Sequence, residues 1–347
     1  MNNIGDIIKY LKEYDGNPVT IMEVCGTHTA SIAENGIENI VSEKIHLITG
    51  PGCPVCVTVA AYIDKLCELS RLENHCVCSF GDMIRVKGSK ECIRDAQAQG
   101  GRIKMVYSPL ELVDLAINEP ETTFVFAAVG FETTTPLYAL LLEKLIEKDI
   151  SNVKLLTALK TMPKVIDTVL SDNHTITGML APGHVSVITG SDVFKPFAEK
   201  YNIPFVVSGF EGEEILASIY ALIKLNQQGK VLNLYPSAVT NEGNNISKNK
   251  VLKYFKECDA AWRGLGVIEG SGLKLREEYK CFDAGSDNLY DDFVPKGCSC
   301  AQVIAGKKRP EECPLFAKKC SPSSPVGACM VSNEGSCFHH FMNRGNN

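Results

Sequence analysis

A short β-branched run, a glycine-bearing loop and then a helix recur along the first 212 residues, and this unit fixes the class of fold. Val19–Cys25 runs into Cys25-Gly26-Thr27-His28-Thr29, Lys44–Thr49 into Gly50-Pro51-Gly52-Cys53-Pro54-Val55-Cys56, and His75–Phe80 into Gly81-Asp82. Farther on, Thr123–Val129 runs into Gly130-Phe131-Glu132, Thr175–Leu180 into Ala181-Pro182-Gly183-His184, and Pro204–Ser208 into Gly209-Phe210-Glu211-Gly212. Strands of five or six residues alternating with helices build parallel sheets covered on both faces, with functional loops at the carboxyl ends of the strands. The expected class is α/β, with two similar parallel-sheet domains. The stretches Ile48–Thr58 and Met179–Thr189 both put Pro-Gly-X after a strand, which suggests two related halves. The glycine loops match neither G-x-G-x-x-G nor G-x-x-x-x-G-K-[ST], so a standard dinucleotide or P-loop site is not supported.

The 347 residues are enough for two or three domains, and 45% apolar with 22% charged residues is ordinary for a globular chain. A net charge of −6 argues against nucleic acid as a partner, because phosphate binding needs a basic face. Met1–Tyr14 mixes Asp6, Lys9, Lys12 and Glu13 with apolar residues, so it reads as the start of an amphipathic helix, neither a signal peptide nor an anchor. No apolar run approaches the roughly 18 residues of a membrane span, so a cytoplasmic protein is expected. From Asn226 to Lys250 the chain turns polar, a candidate boundary, and Trp262–Gly272 is expected to be too glycine-rich for regular structure.

Fifteen cysteines in a cytoplasmic chain call for metal, cluster or catalytic use, since disulfides do not persist there. Cys53 and Cys56, at C-x-x-C spacing in a Pro-Gly frame, can close a disulfide or grip a soft metal. Cys25 and His28, three residues apart across a turn, could bind a metal, or the imidazole could lower the thiol pKa; a buried thiol with a satisfied histidine fits as well. In the tail, Cys298, Cys300, Cys313, Cys320, Cys329 and Cys337 lie in a stretch with little apolar periodicity, which needs a staple. Four thiolates suit a [4Fe-4S] cluster or structural zinc, and the two left over could form a redox pair. Asp82, Glu132, His184 and Glu211 share the presumed loop edge, although carboxylates at such positions also serve as helix caps. Cys67, Cys76, Cys78, Cys92, Cys258 and Cys281 read as structural, and the histidines of Cys337-Phe338-His339-His340 as solvated rather than metal-binding.

Taken in order, MEVCGTHT (Met22–Thr29), GPGCPVCVT (Gly50–Thr58), GFETTTP (Gly130–Pro136), APGHV (Ala181–Val185), SGFE (Ser208–Glu211), the glycine-rich Trp262–Gly272 and the cysteine tail resemble the HypD family of [NiFe]-hydrogenase maturation proteins, from about residue 20 to the end. The resemblance implies a scaffold on which the Fe(CN)2(CO) unit is assembled together with a HypC-type chaperone, cyanide arriving through a HypE-type donor. It implies that Cys25 holds the iron with His28 nearby, and that Cys53 and Cys56 are a redox-active pair. It further implies that Cys298, Cys313, Cys320 and Cys337 ligate a [4Fe-4S] cluster while Cys300 and Cys329 form a second redox pair. The organisation expected is an N-terminal helix and CGTH strand-loop (1–40), a first α/β domain (41–121), a second (122–235) and a small irregular iron–sulfur domain (236–347). Ala301 stands where the family reads glycine, and Phe338-His339-His340 departs from its usual ending; neither changes a motif cysteine. The competing readings are a stand-alone iron–sulfur thiol-disulfide oxidoreductase and a zinc-stapled binding module. In the scaffold reading, the C-x-x-C loop lies between the tail cysteines and Cys25.

Overall fold

A computed structural model describes residues 3–344. Its strands are β1 (Val19–Glu23), β2 (Ile45–Thr49), β3 (His75–Ser79), β4 (Ile103–Met105), β5 (Thr123–Gly130), β6 (Val153–Lys160), β7 (Gly178–Ala181), β8 (Phe205–Val207), β9 (Val231–Asn233), β10 (Phe255–Trp262) and β11 (Gly266–Leu275). They form a five-stranded sheet in the order β2-β1-β7-β8-β9 and a six-stranded sheet in the order β10-β11-β6-β5-β3-β4. Every pair in the first sheet is parallel; in the second, β11 pairs antiparallel with β6 and with β10, and the rest are parallel. The class is α/β with two parallel-dominated sheets, as the alternating pattern predicts.

Two compact units result, and each is discontinuous in sequence. One takes in the described chain up to Cys53, Val165–Asn245 and the chain from Lys296 on; the other takes in Pro54–Lys164 and Ile246–Pro295. The units therefore do not follow the contiguous division 1–40, 41–121, 122–235 and 236–347. The reason is strand pairing: β1 hydrogen-bonds to β2 on one side and to β7, more than 150 residues away, on the other. The cysteine-rich tail belongs to the same unit as β1.

In the first unit Leu11, Ile21, Ile37, Leu180, Val206 and Ile219 form the core beside the sheet. Of the segment expected to open as an amphipathic helix, Met1 and Asn2 lie outside the described residues, and Ile4–Lys12 is helical, burying Ile7 and Leu11. In the second unit Phe124, Phe126, Tyr138, Leu142, Leu155 and Phe255 fill the core. These side chains are 0–1% exposed; Phe124, Phe126, Leu155 and Phe255 are carried by strands, and Tyr138 and Leu142 by a helix. No helix among the described residues is long and apolar enough to cross a membrane.

The glycine-rich segment after Trp262 is regular, contrary to expectation. Gly266–Leu275 is a strand paired with Phe255–Trp262 and, at Gly272 and Leu273, with β6. Pairing on both sides supplies the hydrogen bonds that offset the low strand preference of glycine. Ahead of this segment, Asn245–Tyr254 is a helix and Phe255 opens β10.

Candidate functional site

Strand order fixes where chemistry sits in the first unit. The chain leaves β1 for β2 on one side and later fills β7, β8 and β9 on the other, so β1 marks the point where the order reverses. Ligands of open α/β sheets bind outside the carboxyl ends of the strands at such a point. Cys25 follows β1, the Gly50–Cys53 loop follows β2, His184 follows β7 and Glu211 follows β8.

Cys25 occupies the cap position of helix Gly26–Glu34 in extended conformation and is 7% exposed. Burial pushes its thiol up to about 12; the amides of His28 and Thr27 oppose the rise, while the charges of Glu23 and Glu334 add to it. Those amides face the sulfur without closing a cap hydrogen bond. The thiol is thus protonated at neutral pH, and a metal that takes it as thiolate must displace that proton.

The Gly50–Cys53 loop packs directly on this segment. Gly26 N–H donates to Gly52 O at 3.3 Å. A Cβ built on Gly52 would lie 2.3 Å from Cys25 N and 2.4 Å from the Val24 carbonyl carbon, so only glycine permits the approach. Cys53 and Cys56 are joined in a disulfide. Following it, the Thr58 hydroxyl donates to Pro54 O at 2.8 Å, and buried Arg263 donates to Val57 O through its amide and to Thr58 O through Nε, both at 2.8 Å.

His28 is fully buried. Its Nε2 meets Gly209 O at 3.0 Å, which makes Nε2 the protonated nitrogen, and Nδ1 is a buried lone pair with no hydrogen-bond partner among the described residues. Burial lowers its pKa to about 4. In its neutral form the imidazole offers Nδ1 as a ligand or acceptor. His184 stacks on Phe210 with ring centroids 4.1 Å apart, and Phe210 lies 5.0 Å from the His28 ring. Glu211 is exposed at the cap position of helix Gly212–Lys224, its amide donating to Glu214 Oε2 at 3.0 Å, and so acts as a helix terminus.

Asp82 and Glu132 belong to the second unit, at the carboxyl ends of β3 and β5. Glu132 Oε1 accepts from Met162 N at 2.9 Å, whereas Oε2 is buried without a partner among the described residues. Burial raises this carboxyl to about 7. The four presumed edge residues are therefore divided between the two sheets.

All six tail cysteines lie in the first unit, and five of them are buried. Their sulfurs make a continuous line of contacts, Cys298 to Cys300 to Cys329 to Cys337. Ser299 N–H donates to Cys313 Sγ at 3.4 Å and Val326 N–H to Cys320 Sγ at 3.4 Å. Contact with Cys298 pulls the Cys300 thiol down, but contact with Cys329 and burial outweigh it, so the thiol lies above its ordinary value. Cys300 and Cys329 meet as a redox pair requires, yet Cys298 and Cys337 continue the same line. Among the described residues, no three of His, Cys, Asp or Glu are arranged to hold a metal ion. The donor set, soft thiols with N–H groups aimed at two of the sulfurs, suits an iron–sulfur cluster chemically; the touching sulfurs would have to part to take one. His339 bonds Asn333 O and His340 bonds Glu311 at 2.6 Å, so both are engaged within the protein.

The tail touches both loops of the switch point. A Cβ on Gly26 would meet Glu334 Cβ at 2.4 Å, and Ser336 Oγ donates to Thr49 Oγ1 at 3.2 Å.

Glu23 was not singled out from the sequence. It is 3% exposed, accepts from Cys25 N at 2.8 Å and from the Thr29 hydroxyl at 2.5 Å, and receives a further bond from Thr49. It thereby fixes the backbone on which Cys25 stands. A cavity of about 120 Å³ is lined by Glu23, Thr29 and Thr49 together with Arg309, Glu311 and His340. The available signal was a lone carboxylate in the apolar run VTIMEVC, where an isolated charge needs partners. Burial raises its carboxyl from 4.5 to about 7. The native state then holds a proton that the unfolded chain has released, so stability falls as pH rises from about 4.5 to about 7. Glu23→Gln should flatten this slope in thermal melts, leaving the part due to Glu132, which has the same sign. At pH 5 it should destabilise by about 1–3 kcal/mol, because the amide nitrogen cannot accept and at least one of the three donors loses its acceptor.

The family model HypD, described as "Hydrogenase formation hypA family", matches residues 2–344. A putative hydrogenase expression/formation protein of Methanocaldococcus jannaschii is 39% identical over 322 residues, covering 91% of this chain and 90% of its own. Hydrogenase maturation factors HypD of Rhodobacter capsulatus and Escherichia coli K12 are each 37% identical, covering 94% of this chain and 89% and 90% of theirs.

Proposed function

For a chain that belongs to the HypD family of hydrogenase maturation factors, we propose the role of a scaffold on which iron receives two cyanides and one CO before delivery to the [NiFe] active site. The observation that carries this reading is the packing of Gly52, the neighbour of Cys53, against the Cys25 backbone at the switch point of one sheet. A HypC-type chaperone supplies a second thiolate to the iron, and a HypE-type donor supplies the cyanide; the setting is the reducing cytoplasm.

Cys25 loses its proton and holds the iron as a thiolate, with the lone pair of His28 Nδ1 as a nearby acceptor or ligand. Glu23 keeps the Cys25 amide in place through its 2.8 Å bond. Cys53 and Cys56 store two electrons as dithiol and release them on closing the disulfide. Cys298, Cys313, Cys320 and Cys337 would hold a [4Fe-4S] cluster, and Cys300 with Cys329 would serve as the redox pair beside it. When bound, that cluster supplies one-electron transfer. Ser299 and Val326 orient the Cys313 and Cys320 sulfurs through their amides.

The disulfide in the C-x-x-C loop favours a second reading, a stand-alone thiol-disulfide oxidoreductase. Cys53 and Cys56 are only 5% and 1% exposed, so a substrate disulfide would need the loop to open first. The deciding experiment is anaerobic co-purification with a HypC-type chaperone, followed by iron and sulfide analysis and infrared spectroscopy. Acid-labile sulfide together with cyanide and CO bands is the expected result. Zinc without sulfide, or turnover of a small disulfide by the isolated chain that is lost in Cys53→Ser, would replace this reading.

A further inference from the structure

The second unit contains a buried amine that the scaffold role does not use. Lys160, the last residue of β6, is 3% exposed, and among the described residues its Nζ makes no hydrogen bond or ion pair. The Trp262 ring lies 5.7 Å away at the centroid, near the outer limit for a cation–π contact. A buried ammonium so poorly compensated is costly and relieves the cost by giving up its proton. Burial lowers the Lys160 pKa to about 8, with Cys258 opposing the shift and Arg263 adding to it.

The amine lines a cavity of about 70 Å³. Gly272 creates room beside it: this residue of β11 pairs with Lys160 on one side and Cys258 on the other. A Cβ there would lie 3.3 Å from Cys258 Sγ and 2.7 Å from the Ala260 Cβ. The charged groups in the wall are Lys160, Lys274, Asp259 and Asp287. Asp259 accepts from Gly270 N at 3.0 Å, and Asp287 is held by Lys280 at 2.6 Å and Lys274 at 3.6 Å. Tyr62, Cys258 and Tyr290 are the other titratable wall residues, and the Tyr62 hydroxyl is committed to Leu156 O at 2.7 Å. With Lys160 neutral the wall sets Lys274 against Asp259 and Asp287, so nothing gathers an anion, and the volume limits an occupant to a few heavy atoms.

We propose that Lys160 is a carbamate-forming lysine whose amine adds to dissolved CO2 in this cavity. The nitrogen lone pair bonds to the carbon of CO2, one C–O π pair moves onto oxygen, and the nitrogen releases a proton to solvent. The product is an N-carboxylated lysine bearing one negative charge; Lys274, paired with Asp287 at 3.6 Å, is the other amine of the wall. No oxidant or reductant enters.

The test uses the full chain under a fixed pressure of ¹³CO2, trapping carbamates with a trialkyloxonium salt and mapping them by mass spectrometry. At pH 8 the Lys160 peptide should carry the trapped label at least about tenfold more than the peptide of exposed Lys12, since burial favours the neutral, nucleophilic amine. Lowering the pH to 6 should cut the Lys160 label by about fiftyfold, as the amine takes up its proton. Lys160→Met, which keeps the stem without a charge, should remove the label at this peptide. Cys258→Ala should retain it; label mapped to the Cys258 peptide of the wild-type chain and not to that of Lys160 would make the thiol the reacting group and overturn the proposal. Label at Lys160 no greater than at Lys12 in the wild-type chain would overturn it as well, whatever the variants do.

Discussion

Cys25→Ala protein purified with its HypC-type partner should lose the cyanide and CO infrared bands while keeping its fold. The thiol is small and buried, and no protein side chain depends on it: Glu23 is bonded to the amide of Cys25, which alanine retains. The cost in stability is therefore about 1 kcal/mol, that of a small buried hydrophobe. The cost to iron is much larger. Removing a group that merely orients a ligand weakens a metal by about 10–100-fold, and the thiolate is the ligand itself. Bands at normal intensity in Cys25→Ala would move the iron to Cys53 or Cys56. The high thiol pKa gives a second readout: in metal-free protein, alkylation of Cys25 should still be accelerating at pH 10, where an ordinary thiol of pKa near 8.5 has levelled.

The strands were legible because local pattern determines them. VTIME, IHLIT, HCVCS and TFVFAAV are β-branched or aromatic runs that end in glycine loops, and each became a strand where the pattern puts it. Which strands share a sheet was not legible, since hydrophobic periodicity says which face is buried and nothing about the partner. That is why β1 and β7 were assigned to different segments although Met22 pairs with Met179. The failure at Gly266–Leu275 has another cause, because glycine content reports intrinsic preference while pairing on both sides decides the outcome.

The site was legible to the same degree. Cys25, Cys53 and His184 stood out as unusual residues on loop edges, and all three fall in the unit built around β1. The groups that support them did not stand out. Glu23 looked like a strand residue, and the buried Nδ1 of His28 became visible only when Gly209 was seen to claim Nε2. The division of the tail cysteines into ligands and a redox pair is not written in their spacing, since either role needs only a buried sulfur. Contacts do not supply it either, because Cys300 and Cys329 share one line with Cys298 and Cys337.

Gly52→Ala should be among the most damaging single methyl groups in the chain. The added carbon would lie 2.3 Å from Cys25 N, 2.4 Å from Val24 C and 2.7 Å from Cys25 Cα. All three are backbone atoms, which cannot swing aside as a side-chain tip can. One of the two segments must retreat, and the Gly26 N–H to Gly52 O bond is lost in the process. A loss of about 3 kcal/mol or more follows from overpacking together with a broken hydrogen bond. For a unit of this size that lowers the melting temperature by roughly 6–12 °C. Gly5→Ala is the matched control: nothing lies within 4 Å of its new methyl, and alanine favours the helix it joins. Unlike Cys25→Ala, the Gly52 variant keeps every thiol. If it nevertheless loses the cyanide and CO bands at a temperature where it remains folded, the distance between the two loops is itself a requirement of assembly. Unchanged melting and unchanged bands would mean that the two loops do not touch as described, and the case for a shared iron and dithiol site would fall with that contact.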